Sequence, residues 1–276
     1  MAEIFTLDGA RTHHLIRAVR GIGIEIPEHV EKELGLYKRV QDSERAANAA
    51  VLDAQSTLYG VDPKDWDTAS ADLSEAITAA FTLSNGLTGK LIEIASNRLV
   101  QATYHYTGEW IADIVDKLNE IVDDTRWNEH VGNLPTFNQI VHVLDLTAEQ
   151  GAAVGACREA AAQFDPYWAV LKQLMAVEGH STGESREPSE NLDLFFTLSD
   201  GTWGQATGAV PLMVGASQGT DSAREFRPLM PYIYPALVGA ELNFATPDVA
   251  SLRRSEVQGG GRPTQQYLSA ALSGAY

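Results

Sequence analysis

Gly215-Ala216-Ser217-Gln218-Gly219 is the stretch whose spacing comes nearest to catalysis. It matches G-x-S-x-G, the pattern in which a sharp turn between a strand and a helix lifts a serine hydroxyl toward a histidine base. The apolar run Val210-Pro211-Leu212-Met213-Val214 in front of it can be read as that strand. Two observations oppose the reading. The base should follow the serine in the chain, yet the last histidine is His180. A helix after the turn would also meet Pro228 within about three turns. A hydrolase of this kind further needs alternating strands and helices, which the sequence before His180 does not supply. Ser217 therefore reads as part of a Gly/Ser loop.

His105 and Glu109 stand four residues apart, a spacing that puts two ligands of one metal ion on the same helix face. A carboxylate-bridged metal bundle would repeat Glu-x-x-His on a second helix, and no such unit occurs. A half-buried histidine beside an exposed glutamate is the simpler reading. His13-His14, Glu28-His29 and Glu129-His130 are adjacent pairs, and neighbours on a helix point apart. Gly259-Gly260-Gly261-Arg262-Pro263 lacks the lysine and hydroxyl that close a phosphate loop, so it reads as a hinge. Cys157 is the single cysteine, which excludes an intrachain disulfide and a cysteine-built metal site. An enzyme would have to gather scattered residues such as His105, Glu109, His142 and Ser217. No catalytic, cofactor-binding or metal-binding residue, and no cofactor, is assigned.

The elements that would carry these residues are mainly helical. Asp8 can cap a helix from about Gly9 to Arg20, after which Gly21–Pro27 reads as an extended connector or an edge strand. A second helix begins after Pro27 and falters at Gly35, and a third spans about Val40 to Tyr59 with Val40, Ala47, Val51, Ala54 and Leu58 on one side. Asp62-Pro63-Lys64-Asp65 is a helix start: a cap oxygen, a proline at the first position and an acid near the amide dipoles. From there Leu73, Ile77, Phe81, Leu87, Leu91, Ile94, Leu99, Thr103, Tyr106, Trp110, Ile114, Leu118 and Ile121 recur in steps near three and four. Such a row keeps one stripe toward a partner surface. It should break between Ser84 and Gly89, with Gly108 as a kink. Thr147-Ala148-Glu149-Gln150 is a capping box, opening a helix to about Gln163, and Asp165-Pro166 starts another that ends before Gly179.

The fold class expected is thus mainly α. Residues 1–178 form a helical bundle, 179–193 a polar linker, and 194–276 an irregular Pro/Gly-rich region with short strands and helices. The segment Gln265–Tyr276 carries Tyr267, Leu268, Ala271, Leu272 and Tyr276 at helical spacing, suited to clamping on another subunit.

At 276 residues and 44% hydrophobic content the chain can bury a core without staples. Its 37 acidic and 20 basic side chains leave a formal charge of −17, spread over both halves, which disfavours neutralising phosphates and so excludes nucleic acid. From Ser222 onward five arginines face four acids, a balance that suits docking on an acidic neighbour. The start of the chain has no secretory pattern and no run approaches the ~20 apolar residues of a membrane span, so no membrane partner and a cytoplasmic location, or a virion if phage-encoded, are expected. Alanine-rich, acidic, tryptophan-bearing texture is similar to that of proteins of high-GC bacteria and their phages. The function expected is a non-catalytic structural or assembly protein, a virion part or component of another particle, forming homo-oligomers through its C-terminal region. The alternatives are a metal-dependent or scattered-residue enzyme, and a helical ligand- or peptide-binding module walled by Trp110, Trp127, Trp168 and Trp203.

Overall fold

A computed structural model describes residues 7–83, 86, 88–134, 146–180, 183–218 and 224–259, without the side chains of 44, 218, 224–226 and 259. The order is α1 (Gly9–Gly21), α2 (Glu28–Gly60), α3 (Trp66–Thr82), α4 (Thr88–Tyr104), α5 (Thr107–Asp124), α6 (Trp127–Val131), α7 (Ala148–Val177), α8 (Pro188–Leu198), α9 (Trp203–Gln218), α10 (Tyr234–Leu237) and α11 (Pro247–Gly259). The mainly α expectation holds, and the short strands expected after residue 194 are absent among the described residues. The run Leu194–Leu198 closes α8 and Val210–Val214 lies inside α9. Leu194, Phe195, Phe196 and Leu198 are all buried, and a run covered on every side has no period to tell helix from strand. The chain divides into two compact units, Thr6–Thr107 and Gly108–Tyr276. Residues 179–193 fall within the second, and α8 begins among them.

In the first unit, Asp8 caps α1 by accepting from the Arg11 amide at 2.8 Å. Gly9 lets α1 approach its neighbours closely: a Cβ there would lie 2.5 Å from Tyr37 and 2.7 Å from Ser96 Oγ. Around this point Leu15, Ile16, Val19, Val30, Leu34, Tyr37, Ala95 and Leu99 form the core. The residues between α1 and α2 form a turn and an irregular connector, not a strand. α2 runs 33 residues without interruption, about 50 Å, so neither Gly35 nor Val40 marks a boundary. A single glycine costs a helix only about 1 kcal/mol, which packing beside buried Leu34 and Tyr37 offsets.

Beyond Tyr37 the unit changes character. From Lys38 to Ile94 the only buried residues among those described are Ala69 and Thr88. α3 packs on α2, and its less exposed side is Ala69, Leu73, Ala76 and Ala80; on α2 Val40, Ala47, Val51, Ala54 and Leu58 are half-buried. The large residues lie elsewhere: Leu52, Tyr59, Trp66, Ile77, Phe81 and Ile94 are 67, 85, 52, 49, 66 and 56% exposed. Of the long apolar row read from the sequence, Ile77, Phe81, Leu91 and Ile94 are therefore exposed and Leu73 half-buried, and full burial begins at Leu99. Asp62 caps a short 3-10 turn, Pro63–Asp65, that leads into α3, and the row is broken between Thr82 and Thr88 and again at His105-Tyr106. Ser84, Asn85 and Leu87 lie outside the described residues.

In the second unit, α5 buries Trp110, Ile111, Ile114, Val115, Leu118, Ile121 and Val122, the stripe its spacing predicts. The capping box of α7 is complete: Thr147 Oγ1 accepts from the Gln150 amide, and Gln150 Oε1 accepts from the Thr147 amide. α7 then continues through Pro166 to Val177, where the sequence suggested two helices. Pro166 sits on an exposed side between buried Phe164 and Trp168. The carbonyl it cannot bond, that of exposed Ala162, is open to water, which lowers the cost of an interior proline. Phe164, Trp168, Trp127, Tyr232 and Phe244 stack at ring separations from 4.9 to 6.3 Å.

Residues 240–246 are neither helix nor strand, and the peptide groups of 242–245 are bonded alternately to two sides without a sheet. Asn128 on α6 donates to the Leu242 carbonyl and accepts from its amide; Asn119 on α5 does the same at Phe244. On the other side the Asn243 and Ala245 amides donate to the carbonyls of Leu198 and Thr197, ending α8. Arg253 of α11 donates to the Asn243 and Phe196 carbonyls. Buried Asn191 repeats the two-bond clamp on Ser185.

Candidate functional site

Ser217 lies in the last turn of α9, with its hydroxyl donating to the Val214 carbonyl at 2.8 Å. The nucleophile-elbow geometry is absent, because the apolar run before the serine is helix rather than strand. Pro211 did not end that helix either. Gly219 lies outside the described residues, as do His142, the run Ile140–Leu144 and residues 260–276.

His105 sits in the turn after α4 and Glu109 in the first turn of α5, so no continuous helix carries the pair. Both are exposed, where the simpler reading expected a half-buried histidine. The rings of His13 and His14 stack 6.1 Å apart. Burial, with Lys38 and Arg17 nearby, lowers the pKa of His13. Among the described residues no three His, Cys, Asp or Glu side chains come close enough to hold a metal ion. Gly259 closes α11, and the hinge proposed beyond it is not described. Trp110, Trp127 and Trp168 are core residues, at most 4% exposed.

The sequence reading missed a buried acid. Glu33 follows Val30 and precedes Leu34 on the buried side of α2, and only 4% of its side chain is exposed. An acid within an apolar stripe is the signal that could have found it. Arg98 on α4 meets it with two bonds, Nε to Oε2 at 2.9 Å and Nη2 to Oε1 at 2.6 Å. These bonds hold the carboxyl below its ordinary range against the opposing effect of burial. They border an open cleft of about 400 Å³ shared with His29, Gln101, Ala102 and His105. A carboxylate held ionised by a guanidinium is a poor proton acceptor, so the pair ties α2 to α4 rather than moving protons.

A second cleft, about 330 Å³, lies beside Asp165, Trp168, Lys172, Glu184, Met230 and Pro231. Tyr232 donates to Asp165 at 2.9 Å and Tyr234 to Glu184 at 3.2 Å. Burial first, then the Asp165 charge, pushes the Tyr232 phenol far above its usual range. Its proton is fixed in place, and the contact serves to anchor the aromatic cluster on α7.

The remaining candidate is a surface. On α3, Trp66 and Ile77 are exposed and fall within a narrow arc of the helix at 100° per residue, while Leu73 is half-buried with the alanines. Leu52 and Tyr59 on α2 and Leu91 and Ile94 on α4 add exposed apolar area in the same unit. Such concentrations mark interaction sites in soluble proteins.

No family model, curated protein or solved structure matches this chain. No helix among the described residues is long and apolar enough to cross a membrane.

Proposed function

We propose that the chain is a non-catalytic structural component that associates with copies of itself through its C-terminal region, as a part of a virion or another particle. The reading rests on one observation: among the described residues from Lys38 to Ile94 only Ala69 and Thr88 are buried, while Leu52, Tyr59, Trp66, Ile77, Phe81, Leu91 and Ile94 are exposed. Ordering a residue costs roughly 1–2 kcal/mol of backbone entropy, and a buried methylene returns only about 0.8 kcal/mol. An alanine contact alone is thus a weak support for helices of this length. A further layer over the exposed residues would complete the packing, and a protein that builds particles has that layer in its neighbours.

Light scattering after size exclusion tests the reading. A mass of at least twice 29.9 kDa is expected at micromolar concentration. A strictly monomeric chain up to the highest soluble concentration overturns it. The catalytic alternative is tested separately by metal analysis of the purified protein and of His105→Ala. Stoichiometric metal that disappears in the variant would favour an enzyme.

A further inference from the structure

Asp165, Trp168 and Lys172 share one face of α7, at i, i+3 and i+7. With Glu184, Met230 and Pro231 they line the cleft of about 330 Å³, a size at the lower end for small-molecule sites. Its polar groups are held in place but not used up. Tyr232 and Tyr234 are both fully buried, and each donates to one carboxylate oxygen, Asp165 Oδ1 at 2.9 Å and Glu184 Oε1 at 3.2 Å. The second oxygen of each carboxylate has no partner among the described residues, and neither has the Lys172 ammonium. Asp165 and Lys172 stand two turns apart, about 10.5 Å along the helix, and do not close on each other as an ion pair.

Trp168 adds a donor. Its ring packs inward on Tyr232 and Phe244 and is only 4% exposed. Fully enclosed side-chain polar atoms without a partner are, among the described residues, Thr103 Oγ1 and Trp127 Nε1. The Trp168 N–H lacks a partner too, so it is reachable from outside, and the cleft is the opening on which this residue lies. A buried indole normally spends its N–H on a bond.

The unspent groups are thus two carboxylate oxygens as acceptors, an ammonium and an indole N–H as donors, and an apolar wall of Trp168, Met230 and Pro231. We propose that this cleft binds a small diamino acid, a ligand with two ammonium groups, one carboxylate and a methylene stem between its charged ends. Asp165 and Glu184 take the ammonium groups, Lys172 and the Trp168 N–H take the carboxylate, and the stem lies along the wall. Charges match: two acids and one lysine leave the site at −1, and the ligand carries +1. Its stem also suits acceptors and donors set two helical turns apart. Binding of this ligand does not depend on the self-association proposed above.

Titration calorimetry on the full chain at low salt tests this with three probes: L-lysine, cadaverine, which lacks the carboxylate, and hexanoate, which lacks both amines. L-lysine is expected to bind, and cadaverine and hexanoate to bind at least about tenfold more weakly, since each gives up charge-assisted bonds. Lys172→Met should weaken L-lysine at least about fivefold and leave cadaverine unchanged or tighter, because a repelling cation is gone. A variant that had merely lost its structure would weaken both. Glu184→Gln, which still accepts from Tyr234, should weaken L-lysine and cadaverine alike. No heat from L-lysine up to about 10 mM with wild-type protein, cadaverine as tight as L-lysine, or L-lysine binding unchanged in Lys172→Met would each overturn the proposal.

Discussion

The Glu33–Arg98 pair shows how one residue can look functional and be structural. A carboxylate this buried needs its cation, since an unpaired buried charge is strongly unfavourable. In the folded chain the Arg98 bonds hold Glu33 below its ordinary pKa of 4.5. Its contribution to stability is therefore fully present above about pH 4.5 and is lost as pH falls through the lower folded value. Arg98→Ala should lower the melting temperature at pH 7, and the gap to wild type should narrow on titration toward pH 3, as the orphaned carboxyl takes up a proton. A constant gap across that range would show that Arg98 acts by packing instead. Cys157 offers a second check. It is fully buried and its thiol is pushed up to about 11 by that burial. At pH 8 it should react with a thiol reagent no faster than the chain unfolds, and rapid labelling of the native protein would contradict its placement in α7.

At the scale of elements, the asparagine clamps replace a missing sheet. Asn128→Ala leaves the Leu242 amide and carbonyl without their bonds and should cost about 1–3 kcal/mol, measured by urea unfolding. Asn128→Asp keeps the acceptor and should cost less at low pH, where the protonated acid can donate. Local signals were legible in the sequence: the Asp8 cap, the Asp62-Pro63 start and the Thr147–Gln150 box depend on three or four neighbouring residues and occur as read. A similar reciprocal pair at Thr202 and Gln205 opens α9 and was not singled out, although the spacing is the same. What failed was every inference from a breaker residue whose cost tertiary packing offsets. Pro166 and Pro211 sit inside helices, and Gly35 interrupts nothing. The strands expected in the C-terminal region failed because an all-round apolar helix carries no period. The buried Glu33 had a signal, an acid inside the apolar stripe of α2, but nothing local pointed to its partner 65 residues away.

For the whole molecule, the uneven distribution of core matters most. Residues 9–37 and 95–104 gather around buried Leu15, Ile16, Leu34 and Leu99, and the second unit holds its own aromatic core. Among the described residues from Lys38 to Ile94, the buried apolar side chains are reduced to Ala69. Sparse burial lowers the free energy of local opening. Hydrogen exchange in dilute protein should therefore be at least about tenfold faster for amides of Val51–Leu58 and Leu73–Thr82 than for those of Ile114–Leu118. Protection that rises in α3 with protein concentration would tie that opening to association. Equal protection along the chain would mean that the α2–α3 contact is stronger than its alanines suggest.

The bonding of residues 242–245 has an effect on solubility. Leu242-Asn243-Phe244-Ala245 is largely apolar and bonds alternately to two sides as a strand does, the kind of peptide that seeds fibrils when its edges are open. Here one edge is taken by two carboxamides and the other by helix-terminal carbonyls and a guanidinium. With both edges occupied, no foreign strand can be templated, and the folded chain is guarded against amyloid at this segment.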